Sequence, residues 1–182
     1  MKRLSFLEKT KELYLYTDRY DTVTFFEIIQ LYGSALCAFL VFLLSLPLMI
    51  FSTQIIALPL TFIIIILSTL LLFDERLWLL DSIKGVKVAS PTLKKISGWV
   101  ISAIEWIRSK LPEAPFYAEY ETVFRKATPL LLIFAAFQVG FIQSPNTNYF
   151  SILSLILLSL GATLDDGYII IAGFAVFLLG LI

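Results

Sequence analysis

Histidine is absent from this chain of 182 residues, and cysteine occurs once, at Cys37. A single thiol forms no internal disulfide, and the lack of imidazole excludes histidine metal ligands and histidine-dependent catalytic triads. The chain contains fourteen lysine and arginine residues, but none of them lies in the two long stretches 20–75 and 127–182. These absences predict a protein that is not an enzyme, with no metal site and no other cofactor.

The composition is that of a membrane protein. The formal net charge is zero, so no overall basic field attracts nucleic acid, and we expect no nucleic-acid partner. Hydrophobic residues make up 59% of the chain and the mean hydropathy is +0.89, whereas soluble domains are about 45 to 50% apolar. We therefore predict a single membrane domain over residues 1–182, with membrane lipids as its main partners.

Five uncharged runs are candidates for membrane crossing. Ser34–Phe51 and Ile55–Phe73 contain eighteen and nineteen residues, close to the roughly 20 that span a bilayer. The runs 128–142, 150–164 and 168–182 contain fifteen residues each, which as helix cover only about 22 Å. Two interpretations stay open for these three: short spans, or re-entrant segments that turn back inside the protein.

The positions of the basic residues predict the orientation. Basic loops resist translocation, so residues 1–30 and the connector 74–127 are expected on the cytoplasmic side. Residues 31–73 then form a first transmembrane hairpin, and residues 128–182 form a second hairpin followed by a final apolar helix. The two hairpin tips, which contain no lysine or arginine, are expected outside.

The connector contains a predicted amphipathic helix, residues 91–111. Ser90 and Pro91 form a favourable helix start, because serine caps free N–H groups and proline lacks one. Apolar residues recur every three or four positions in it: Leu93, Ile96, Val100, Ile104, Ile107 and Leu111. Trp99 and Trp106 border this stripe and, with Trp78, are candidate interfacial anchors. Either the stripe lies in the membrane interface, or it packs on the protein itself.

The two halves resemble each other when the chain is shifted by 91 residues. Ile66-Leu67-Ser68 then aligns with Leu157-Leu158-Ser159, and the acidic pair Asp74-Glu75 aligns with Asp165-Asp166. The predicted fold class is all-α: a polytopic helical membrane protein with two hairpin-like halves joined by a cytoplasmic amphipathic helix. An internal duplication and a chance similarity between apolar segments both stay open.

Few polar residues are candidates for a functional site. The carboxylates Asp74, Glu75, Asp165 and Asp166 are costly near a bilayer unless they are solvated, paired or functional. They either bind a cation or proton together, or end helices at the water boundary. Around the second tip, Gln143, Asn146 and Asn148 either line a polar cavity or form a solvated turn.

The last third of the chain resembles a known family. Pro145 and Asn148 before an apolar helix, Ser159-Leu160-Gly161 and Asp166-Gly167 are similar to the C-terminal signature of the ExoD family of bacterial membrane proteins. The similarity extends to residues 24–33, to the helix that runs to Pro47, to Arg76 with Trp78, and to the amphipathic helix between Ser90 and Pro112. The chain departs from the family at Gln143, Thr147, Ser151 and Asp165.

The resemblance implies a role in exopolysaccharide production at the bacterial inner membrane, with the N-terminus in the cytoplasm. It supplies no catalytic residue. We expect a non-enzymatic accessory or assembly component whose partners are the polysaccharide-synthesis machinery or further copies of the chain. The alternative is a small transporter or flippase for a lipid-linked or small anionic substrate.

Overall fold

The computed structural model describes residues 5–50, 54–73, 85–110, 117, 120–142 and 145–181. These residues contain eight helices and two strands of three residues, so the predicted helical class is confirmed. In chain order the elements are α1 (Phe6–Tyr16), β1 (Thr22–Thr24), α2 (Phe25–Tyr32), α3 (Ser34–Ile50), α4 (Gln54–Phe73), β2 (Lys87–Ala89), α5 (Ser90–Lys110), α6 (Glu121–Phe141), α7 (Pro145–Leu164) and α8 (Gly167–Leu179).

The chain divides into two compact units. Unit 1 comprises residues 1–33 and 76–113, and unit 2 comprises residues 34–75 and 114–182. The N-terminal segment and the connector helix, which are distant in sequence, therefore fold together in unit 1. Unit 2 contains the apolar helices.

In unit 1, a two-stranded ladder joins the N-terminal segment to the connector. Strands β1 and β2 pair antiparallel, with Val23 opposite Val88, and Val23 is fully buried. Capping boxes start the helices on this side: Ser5 with Glu8 begins α1, and Thr24 with Glu27 begins α2. In each box the side-chain oxygens of both residues accept hydrogen bonds from backbone N–H groups that the helix leaves free.

Helix α5 packs on α1 within the same unit. Leu93, Ser97 and Ile104, spaced four and seven residues apart, are buried on this side of α5. On α1 the buried residues are Phe6, Thr10 and Leu13. Exposed ion pairs join the two segments at both ends, Lys11 to Glu105 at 2.8 Å and Lys94 to Asp18. Part of the predicted apolar stripe, Leu93 and Ile104, therefore contacts the protein itself.

In unit 2, four helices form a closed ring. Helix α3 packs on α4 and α7, and α6 packs on the same two helices, whereas the diagonal pairs hardly touch. The core between them is apolar and fully buried at its centre, where Val41, Ile64, Leu132 and Leu155 meet. Helix α8 lies outside the ring and packs mainly on α7.

Glycine permits the close approach of α7 and α8. A Cβ atom at Gly173 would lie 2.9 Å from the backbone nitrogen of Leu158, and one at Gly161 would lie 2.8 Å from that of Ile170. In addition, the Ser154 hydroxyl donates a hydrogen bond of 3.0 Å to the carbonyl of Gly173. Small residues at such crossings are typical of membrane helices, where close backbone packing stabilises association.

Among the described residues, two helices are long and apolar enough to cross a bilayer, α4 over Ile56–Phe73 and α6 over Glu121–Phe141. A third crossing results if α2 and α3, which bend apart at Gly33, count as one broken span. Gly33 has φ +58, a conformation that glycine adopts without a Cβ penalty. The helical segment from Phe25 to Ile50 is thus interrupted at this glycine.

The helices of the second half begin earlier than their uncharged runs suggested. Helix α6 starts at Glu121 rather than near Thr128, and its first turns include Arg125 in an ion pair of 3.7 Å with Glu121. Helix α7 starts at Pro145 rather than at Phe150, so part of the expected polar turn is helical. Charges and amides at a helix end can reach water, which lengthens the helix beyond its apolar run.

Candidate functional site

The second acidic pair lies in the short turn between α7 and α8. Asp166 is the N-cap of α8, and its carboxylate accepts hydrogen bonds from the backbone N–H groups of Tyr168 at 2.9 Å and Ile169 at 3.2 Å. Asp165 has φ 54, the left-handed conformation that reverses the chain. The geometry therefore gives each aspartate a role in ending or starting a helix.

Asp165 also anchors a segment from before α6. The hydroxyl of Tyr117 donates a hydrogen bond of 3.0 Å to Oδ1 of Asp165, and the Tyr117 ring stacks on Phe124 with centroids 5.6 Å apart. Burial, together with the negative charge of Asp165, raises the pKa of Tyr117 well above its usual value. The phenol therefore stays a donor at physiological pH and holds the start of α6 beside the α7–α8 turn.

The first acidic pair, Asp74 and Glu75, lies outside the described residues, as do Gln143 and Trp78. The predicted meeting of the two acidic pairs therefore stays a prediction. Among the described residues, no group of three or more cysteine, aspartate or glutamate side chains is arranged to hold a metal ion.

The second tip contains a small buried polar cluster. Asn146 lies in the first turn of α7, and Asn148 follows it in the same helix. Ser151 donates a hydrogen bond of 2.7 Å to the side-chain oxygen of Gln138 on α6. One turn from Ser151, the buried Oδ1 of Asn148 has no hydrogen-bond partner among the described residues. Sequence reasoning singled out Asn148 but missed Gln138, which stands alone in an apolar run.

The candidate anchors Trp99 and Trp106 lie on α5 with most of their surface exposed, 74% and 66%. They project away from the α1-facing residues, as the exposure of Ile96 on the same face also indicates. No described contact of α5 covers them.

Unit 1 also contains a cleft of about 300 Å³ that the sequence did not indicate. Glu12, Tyr16, Glu27 and Gln30 supply its polar wall. The Tyr16 hydroxyl donates a hydrogen bond of 3.0 Å to Glu27, whose other oxygen caps α2. These residues come together through the contact between α1 and α2, so their spacing along a single helix did not indicate the cleft.

A comparison with protein families identifies the chain. The family model described as "Exopolysaccharide synthesis, ExoD" matches residues 9–182, nearly the whole length. No curated protein and no solved structure gives a significant match. The family implies an association with exopolysaccharide synthesis, and the long apolar helices agree with a location in a membrane. The chain, with its ring of apolar helices and its aspartate-capped final helix, belongs to the ExoD family.

Proposed function

We propose that this protein is a non-enzymatic accessory or assembly component of exopolysaccharide synthesis in the bacterial inner membrane. The observation that supports it most directly is the interior of unit 2, where apolar side chains fill the centre of the ring. Such an interior suits a rigid scaffold. A path for a polar substrate would instead need polar groups that face a shared cavity.

Several buried hydroxyl groups of unit 2 support this proposal, whereas those of Ser68 and Thr128 have no hydrogen-bond partner among the described residues. Ser45 donates a hydrogen bond of 2.8 Å to the carbonyl of Phe42, Thr61 one of 2.9 Å to Leu58, and Thr163 one of 2.7 Å to Ser159. Each bond stays within one helix, so these groups are satisfied without a ligand. Hydroxyl groups bonded in this way serve the close packing of helices rather than the recognition of a ligand.

Two contacts between distant segments support the two-hairpin arrangement, and the basic residues alone indicate which side is cytoplasmic. Paired strands cannot lie on opposite sides of a bilayer, so the β1–β2 ladder favours an even number of crossings between residues 24 and 87. In the same way, the bond from Tyr117 to Asp165 favours an even number between residues 117 and 165. Both fit two hairpins entered from the cytoplasmic side, with the N-terminus and the connector on that side.

The arrangement of unit 2 also supports an internal duplication. A shift of 91 residues carries the bounds of α4, 54 and 73, onto 145 and 164, the bounds of α7. It carries buried Val41, Ile64 and Ser68 onto buried Leu132, Leu155 and Ser159. The contacts of the ring follow the same relation, because the shift replaces the contact of α3 with α7 by the contact of α6 with α4. A two-fold axis through the ring, parallel to the helices, would relate the halves, and α8 would be an addition.

A transporter or flippase is the second candidate. The specific observation in its favour is the cluster of Gln138, Asn148 and Ser151 near the second tip, where one amide oxygen is unpaired among the described residues. Buried polar groups inside a membrane bundle often mark a substrate path. The duplication is also common in transporters.

Two measurements test the proposal. Purified protein in proteoliposomes is assayed for translocation of a headgroup-labelled lipid, with empty vesicles as the control. In parallel, the variants Asp165→Asn and Asp166→Asn are expressed in a strain lacking the chromosomal gene, and exopolysaccharide is quantified. We expect no translocation above the control and full restoration by both variants. Translocation above the control would contradict a non-enzymatic accessory role, and loss of exopolysaccharide despite normal protein levels would show that the aspartates do more than end and start helices.

The orientation has its own test. Single cysteines at Thr53 and Asn146, in a Cys37→Ala background, are treated with a membrane-impermeant maleimide in intact cells. We expect both to react, whereas a cysteine at exposed Arg19 reacts only after lysis. Reaction at position 53 or 146 that required lysis would overturn the orientation and the two-hairpin arrangement.

A further inference from the structure

Helix α5 has a second apolar face that packs on nothing described. Ile96, Trp99 and Trp106 are 53%, 74% and 66% exposed, and Ala103 between them is exposed as well. Their spacing of three, four and three residues places all four on one stripe. A stripe with two exposed indoles is unusual for a helix whose neighbours are water alone.

The stripe is distinct from the face that holds α5 on α1. At 3.6 residues per turn, Trp99 is rotated by about 120° from Leu93, which is buried against the rest of unit 1. The ion pairs of Lys94 with Asp18 and of Glu105 with Lys11 fix this rotation. The tryptophans are therefore held outward by the packing of α5 on α1.

The charges next to the stripe are basic. Exposed Lys95 and Lys110 border it, whereas the acidic residue of α5, Glu105, lies on another face and pairs with Lys11. Indole rings favour the boundary between lipid headgroups and acyl chains, and lysine side chains extend from there to anionic phosphates. This combination fits a lipid surface better than a protein partner, for which an apolar stripe needs no flanking cations.

We propose that the face of α5 formed by Ile96, Trp99, Ala103 and Trp106 lies in the plane of the membrane, at an anionic lipid surface. Helix α5 thereby fixes unit 1 on the bilayer by a contact separate from the chain connections to unit 2. This inference does not depend on whether the protein is an accessory component or a transporter, since both lie in a bilayer.

Site-directed spin labelling of the full chain tests the proposal. In a Cys37→Ala background, a nitroxide is attached at Ala103→Cys, within the stripe, or at Ser109→Cys, an exposed matched control on another face of α5. Both proteins are reconstituted into vesicles of phosphatidylcholine with phosphatidylglycerol. We expect a several-fold higher ratio of oxygen to water-soluble nickel accessibility at position 103 than at 109, with a depth of about 5 to 10 Å.

Each other outcome overturns the proposal. Equal nickel accessibility at the two positions would mean that the stripe faces water. Low accessibility of position 103 to both reagents, retained in detergent, would mean that protein covers it. As a second variant, Lys95→Gln with Lys110→Gln leaves the packing face intact and should reduce the depth of the label at 103. An unchanged depth would refute the role of anionic lipid.

Discussion

Alanine at Gly173 is expected to destabilise the packing of α8 on α7. The added Cβ would lie 2.9 Å from both the backbone nitrogen and the Cγ atom of Leu158, and 3.1 Å from the Cβ of Leu157. Since ordinary contact begins at 3.4 Å, the backbones must separate by about 0.5 Å, the difference between 3.4 and 2.9. A side-chain rotation cannot relieve the contact with a backbone atom.

The size of the effect follows from two opposing contributions. Inserting a methyl group into a well-packed interface costs about 1 to 3 kcal/mol. Alanine in a helix interior is more favourable than glycine by about 0.8 to 1.0 kcal/mol. The separation also lengthens the 3.0 Å bond from Ser154 to the carbonyl of residue 173. We expect a net loss of about 1 kcal/mol, and at most about 2, in the free energy of unfolding.

The assay is reversible unfolding of the purified protein in mixed micelles with increasing dodecyl sulfate, followed by far-ultraviolet circular dichroism. Gly98→Ala is the matched control, because the same change on α5 meets only Tyr14 Cε2 at 3.7 Å. That variant should be at least as stable as the parent. If Gly173→Ala unfolded at the same or a higher detergent fraction than the parent, the close approach of α7 and α8 would be refuted.

Three further predictions follow from polar contacts. Asp166→Ala removes the N-cap of α8 and should cost about 1 kcal/mol in the same unfolding assay, whereas Asp166→Asn should cost little because asparagine also caps; equal losses would rule out the cap. Ser151→Ala leaves the Gln138 amide oxygen unpaired and should cost about 0.6 kcal/mol, while adding Gln138→Leu should recover part of that loss, and a further decrease would argue against the bond. Because the pKa of Tyr117 is raised in the folded state, folding favours the neutral phenol. The stability that this phenol contributes is fully present below pH 10.0 and is lost as the pH rises towards the folded-state pKa. The absorbance at 295 nm is measured against pH for the parent and for Tyr117→Phe, and the difference between them reports the ionisation of Tyr117. This difference should show no phenolate at pH 10.0, and half ionisation there would contradict the burial of this ring.

The apolar helices were largely predictable because the bilayer imposes a length on them. The described part of the uncharged run Ser34–Phe51 is helical throughout as α3, and α4 begins one residue before the run Ile55–Phe73. Helix α5 begins at Ser90, one residue before the predicted start at Pro91, and the Ser90 hydroxyl donates a hydrogen bond to the carbonyl of Tyr20. These signals are local, and each lies within a few residues of the element that it specifies.

Long-range contacts were not predictable in the same way. The pairing of Thr22–Thr24 with Lys87–Ala89 joins three-residue segments with no strand-length pattern. The contact of Tyr117 with Asp165 crosses 48 residues. Pro47, Pro59 and Pro129 lie inside α3, α4 and α6, although each lacks the N–H group that would bond to the preceding turn of its helix. The sequence identified the aspartates as candidate site residues, but only the structure showed that Asp166 caps α8.

The β1–β2 ladder has a consequence for how the chain is made. Residues 25–86 lie between its two strands, so β1 leaves the ribosome well before its partner is synthesised. During that interval α1 lacks α5, although its contact with α2, where the rings of Phe6 and Tyr32 lie 4.9 Å apart, can already form. Completion of unit 1 must therefore wait until α3 and α4 have been synthesised. A nascent chain arrested before Lys87 would present an unfinished amino-terminal unit, which is a signal that quality-control proteases can recognise.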